Sequence, residues 1–127
     1  VPVDFTNISS HSCDMYGFPG VSFVTDHPGT QLGSPASRVT SFSSETVTLA
    51  SGGTAHSWLG IADAGNFPAS ACRPVTAHWL RVFPPDQFSA LYASFTTMAC
   101  SKKITGGSTP LTVTPVRPGP GVAGAVP

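Results

Sequence analysis

The side chains that could do chemistry are few: His11, His27, His56 and His78, one glutamate (Glu45), five aspartates, and Cys13, Cys72 and Cys100. A hydrolase of the Ser-His-Asp kind needs a nucleophile, a base and an orienting acid converging on one point. His56 and Ser57 are adjacent, but neighbours on a strand point to opposite faces and cannot share the required hydrogen bond. No Gly-x-Ser-x-Gly turn is present to expose a serine. Three of the aspartates stand where turns use them: Asp26 before His27-Pro28-Gly29, Asp63 before Ala64-Gly65-Asn66, and Asp86 after Pro84-Pro85. Nothing in their spacing suggests the facing carboxyl pair of glycosidic chemistry. The histidines show no chelating spacing, so a metal site would have to gather them from separate strands, with Met15 or Met98 for a soft metal such as copper. No catalytic residue, cofactor or metal ligand is therefore assigned.

The cysteines are more informative. No Cys-x-x-Cys spacing suggests metal or redox use. Counting outward from a turn at Pro85-Asp86, Cys72 and Cys100 lie almost equally far away, so a hairpin in register brings them face to face. A disulfide closing a loop of about 30 residues contributes roughly 3 kcal/mol in the chain-entropy model, and it belongs to an oxidising compartment. Cys13 is then unpaired within this sequence. The competing reading is three buried, reduced cysteines in a cytosolic protein.

Surfaces for binding form the remaining chemistry. Alternation places Trp79, Arg81 and Phe83 on one face of a strand and His78, Leu80 and Val82 on the other. If Leu80 and Val82 point inward, the first set becomes an aromatic and cationic strip able to bind a sugar, a peptide or a protein. The opposite assignment, with Trp79 and Phe83 in the core, fits the pattern equally well. Two loops add candidates: the bend carrying Tyr16 and Phe18, near the segment around Arg38, and the hairpin tip from Phe83 through Pro85 and Asp86 to Gln87. Prolines stiffen both, which lowers the entropy lost on binding; they could equally shield sheet edges. Of the two, the hairpin tip is the stronger candidate.

The elements that must position these residues are strands. Thirteen glycines and thirteen prolines interrupt every helical period, while Val1–Phe5, Val21–Thr25, Thr46–Leu49, Thr54–Ile61, Val75–Phe83, Phe88–Phe95 and Leu111–Thr114 read as strands between turn signals. At 127 residues and 40% apolar composition the chain can enclose one core. Only 9% of residues are charged, six basic against six acidic, so the chain lacks the basic stripe that nucleic acids require. No run approaches the ~20 apolar residues of a spanning helix. A single domain is expected over residues 1–117, followed by a disordered Pro/Gly/Ala tail over 118–127.

A series of short motifs adds a family resemblance. Phe5-Thr6-Asn7, Cys13 with Gly17-Phe18-Pro19-Gly20-Val21, and Leu32-Gly33-x-Pro35-Ala36-x-Arg38 come first. Val47-x-Leu49-Ala50-x-Gly52-Gly53-Thr54-Ala55, Cys72-x-Pro74, Leu80-Arg81-Val82-x-Pro84-Pro85, Ala99-Cys100 and Leu111-x-Val113-x-Pro115-Val116 follow in order. Together they resemble an actinobacterial family of secreted and lipid-anchored proteins known as a domain of unknown function (number 4232). The resemblance implies an immunoglobulin-like two-layer antiparallel β-sandwich, export, and often a lipid anchor. It also implies an upstream strand, lacking here, with a further cysteine for Cys13. It carries no established activity or catalytic residues. In a bacterial chain the glycosylation pattern at Asn7-Ile8-Ser9 is a coincidence.

The function expected is therefore an exported, envelope-associated, non-enzymatic domain that binds a ligand or a protein partner. A secreted hydrolase of cell-wall or sugar substrates and an extracytoplasmic metal-binding protein are the alternatives. No cofactor and no nucleic acid are expected, and the membrane is met only through an anchor upstream of Val1.

Overall fold

A computed structural model of the protein describes residues 1–26, 29–85, 90–104 and 110–121. Its strands are β1 (Pro2–Thr6), β2 (Cys13–Tyr16), β3 (Gly20–Val24), β4 (Gln31–Leu32), β5 (Ser37–Arg38), β6 (Thr46–Leu49), β7 (Thr54–Ile61), β8 (Pro74–Phe83), β9 (Leu91–Cys100), β10 (Leu111–Val113) and β11 (Arg117–Pro118). The clearest alternation gives the clearest strand: in β6, Val47 and Leu49 are buried and Thr46 and Thr48 exposed.

One sheet has the order β1-β7-β10-β5, with β11 also on β7; a second runs β4-β3-β8-β9; β2 and β6 form a separate pair. Their apolar faces share one core, built from Phe5, Leu59, Leu111 and Val113, from Val21, Phe23, Leu80 and Val82, and from Met15, Val47 and Leu49. The fold is thus all-β and sandwich-like, with antiparallel pairing throughout except where β10 meets β5 in parallel over two residues. That exception arises because the chain changes sheets between Leu32 and Ser37. The Ala36 N–H still bonds the Val21 carbonyl at 2.8 Å as it crosses.

Two expectations need correction. First, strands are not the sole elements: residues 64–72 contain helical turns. A 3-10 turn at Ala64–Asn66 is capped by Asp63, whose Oδ1 accepts from the Gly65 N–H at 2.9 Å. One turn of helix, α1 (Ala69–Cys72), is closed by Arg73 at φ 46°. The expected Cys72–Cys100 disulfide forms, with Cα atoms 4.5 Å apart. Pro74, however, is the residue opposite Cys100 in the ladder, so α1 rather than a strand presents Cys72. Around the bridge, Ala64, Cys72 and Cys100 make a second small core with Phe67 and Ile104.

Second, β9 extends to Cys100, well past the expected limit at Phe95. A bulge sets Phe95 and Thr96 against the single residue His78. It breaks the simple alternation of β8: Ala77, Leu80 and Val82 enter the core, while His78 is exposed and not on their face. The first sheet also takes in residues past 117. Arg117 and Pro118 pair with His56 and Ala55, the Gly119 N–H bonds the Thr54 carbonyl at 2.9 Å, and the Gly121 N–H bonds Asp4 Oδ1 at 2.8 Å. Proline is tolerated there because β11 is a short edge strand. Residues 122–127 of the expected tail lie outside the described residues.

Candidate binding face on the four-stranded sheet

Register decides which side chains share the outer face of the second sheet. Across β3 and β8, Val24 is opposite Trp79, Ser22 opposite Arg81 and Gly20 opposite Phe83. Beyond them, Ser94 and Tyr92 of β9 stand against Trp79 and Arg81, and Gln31 of β4 against Val24. Since Leu80 and Val82 are buried in the core, the question left open by alternation is answered: Trp79, Arg81 and Phe83 form the outward strip. All three are half-buried rather than freely exposed.

Arg81 accounts for much of that cover. Its Nη2 donates to Gln31 Oε1 at 2.7 Å, two strands away, so the side chain crosses β3. The crossing explains why the outward residues Ser22 and Val24 are buried at 5% and 0% exposure. Gln31 is itself held, with Nε2 donating to the Gly33 carbonyl at 2.9 Å, which orients its oxygen toward the guanidinium. The Arg81 guanidinium lies 5.5 Å from the Phe83 ring centroid, a cation–π contact. Gly20 leaves room for that ring: an added Cβ would meet Phe83 Cβ and Cδ2 at 3.6 Å. Arg81 Nε is buried and lacks a hydrogen-bond partner. Among the described residues no carboxylate engages this arginine.

The other candidates are placed as follows. Arg38 lies over Phe18, 5.4 Å from its centroid, so the bend and the segment around Arg38 do meet. Tyr16 is exposed at 55% and Phe18 packs against the core. The bend leads into Gly20, opposite Phe83, which puts both candidate regions at one end of the molecule. Pro85, expected on an exposed tip, is buried; Asp86 and Gln87 lie outside the described residues. Cys13 is a free, exposed thiol. It sits on the wall of an open groove of ≈ 420 Å³ with Phe5, Ile8, Met15, Leu49 and Leu91.

His56 and Ser57 face opposite ways. Ser57 Oγ is buried and donates to the Thr114 carbonyl at 2.6 Å, while His56 Nδ1 lies 2.8 Å from the Gly119 carbonyl. Among the described residues no three His, Cys, Asp or Glu side chains come together as a metal site. Asn7 is buried, and its Nδ2 donates to the carbonyls of His11, Leu49 and Ala50, so a glycan could not be attached without dismantling this corner. The signals that sequence reasoning missed are Gln31 and Tyr92 as members of the outer face. Both depend on register, and only Tyr92, an aromatic in a strand-like run, could have been suspected.

A family described as a domain of unknown function (DUF4232) matches residues 1–117. No curated protein and no solved structure matches the chain.

Proposed function

The chain belongs to the DUF4232 family, and from that premise and its surface we propose an exported, envelope-associated binding domain that works without catalysis of its own. The observation that carries this reading is the outer strip of Trp79, Arg81, Phe83 and Tyr92, with an arginine held in place by an amide and, among the described residues, engaged by no carboxylate. Arginine and large aromatics are the residue types that dominate binding energy at interfaces. A guanidinium already fixed by Gln31 loses little freedom when a ligand meets it. The strip suits a partner that offers carboxylate or hydroxyl acceptors beside an apolar surface, whether an acidic glycan or a protein loop. The Cys72–Cys100 disulfide supports an oxidising location. Among the described residues no helix is long and apolar enough to cross a membrane.

Cosedimentation with actinobacterial envelope preparations is the test. Trp79→Ala combined with Arg81→Ala should weaken retention roughly 30-fold, equivalent to about 2 kcal/mol, with an unchanged circular dichroism spectrum. Equal retention of the two proteins would remove this face from the reading. Release of soluble sugar or peptide fragments by the wild type would replace binding by hydrolysis.

A further inference from the structure

One border of the four-stranded sheet is unlike every other border among the described residues. β9 pairs with β8 on one side, and among the described residues no strand pairs with its other side. Its ten residues, Leu91–Cys100, include no proline, glycine or charge. Such a border presents a row of unpaired N–H and C=O groups, and proteins ordinarily blunt it. Elsewhere the blunting is visible. β4 and β5 are two residues long, β1 starts at Pro2 and carries Asp4, β2 carries Asp14, β6 is four residues long behind Glu45, and β11 is Arg117–Pro118. Among the described residues β9 alone is long and unprotected. Its ribbon also holds exposed apolar side chains: Leu91 at 57%, Met98 at 48%, and Tyr92 and Val75 at 36%.

We infer that β9 is a pairing surface for a second copy of this chain, joined antiparallel about a two-fold axis. A two-fold contact sets a sequence against itself, so any charge on the strand would face its own kind; β9 has none to repel. The bulge at Phe95-Thr96 twists the strand, and the far end is tied down through Cys100 to α1. The half available for pairing is therefore Leu91–Phe95, nearest Tyr92. Half a strand buries little area, so the association is weak and concentration-dependent. Pairing there would continue the β4-β3-β8-β9 sheet into its twin and set two Trp79-Arg81-Phe83-Tyr92 strips side by side.

Sedimentation equilibrium of the oxidised chain, from micromolar to millimolar concentration, tests this directly. A dimer should appear as concentration rises. Ser94→Lys and Ser94→Glu should each weaken it about tenfold or more through like-charge opposition, and mixing the two variants should restore it. Amide exchange needs no substitution: residues 91–95 should exchange more slowly at the higher concentration. A wild type that stays monomeric at millimolar concentration overturns the proposal. So do folded Ser94 variants that dimerise as tightly as wild type, or exchange at 91–95 that is independent of concentration.

Discussion

Asn7 is the residue on which the most backbone depends. Its Nδ2 serves three carbonyls, and its Oδ1 accepts from the Ser9 N–H at 3.0 Å and the Ser9 hydroxyl at 2.7 Å. Replacing it leaves buried acceptors such as Leu49 O without a donor, and an orphaned buried group costs more than the net worth of the bond it lost. Asn7→Ala should therefore lower unfolding free energy by about 2–3 kcal/mol, read from urea melts; a loss below half a unit on that scale would mean water substitutes for the amide. Gln31 makes a different prediction. It anchors the Arg81 guanidinium from a half-buried position, so Gln31→Ala should reduce envelope retention about threefold to tenfold. Its melting temperature should move little. A large fall in melting temperature with unchanged retention would show that the pair is only structural.

At the level of elements, Gly33 and the disulfide hold the border between β4 and the end of β9. Gly33 has φ +70°, and an added Cβ would lie 2.6 Å from the Cys100 carbonyl oxygen, while its N–H bonds the Ser101 carbonyl at 3.1 Å. Gly33→Ala thus combines a left-handed backbone with a backbone clash and should cost about 1–3 kcal/mol, more than the same change at Gly52, where φ is +81° but nothing lies within 4 Å. Similar melts for the two variants would discard the clash. Reduction of Cys72–Cys100, with a sequence separation of 28, should cost about 3 kcal/mol and loosen residues 64–72 first. The strands visible in the sequence were those with enough alternation to show a face, β6 and β7 above all. β2, β4, β5 and β11 were not, because they carry no apolar alternation of their own and exist through their partners. The site was half legible. Trp79, Arg81 and Phe83 could be placed on one face, but which face met the core depends on the opposing sheet. The Arg81–Gln31 bond joins positions fifty residues apart, which no local pattern announces.

The whole molecule is closed by its last described residues. Ending the chain after Arg117 would remove the bonds from Gly119 to Thr54 and from Gly121 to Asp4, and the carbonyl beside His56. Such a truncation should cost about 1–3 kcal/mol; unchanged stability would leave the domain limit at 117. β7 receives this closure. It pairs with β1 near residue 5, with β10 near residue 112 and with β11 near residue 117, segments that are remote from it along the chain. Such pairings must overcome loop-closure entropy before they give anything back, which slows folding. Tryptophan-monitored refolding of the oxidised chain should therefore fall in the range of about milliseconds to seconds, not microseconds. During synthesis the consequence is sharper: β7 stays without β10 and β11, two of its three partners, until residues 111–118 have been made, so the first sheet cannot close on a growing chain that stops short of them.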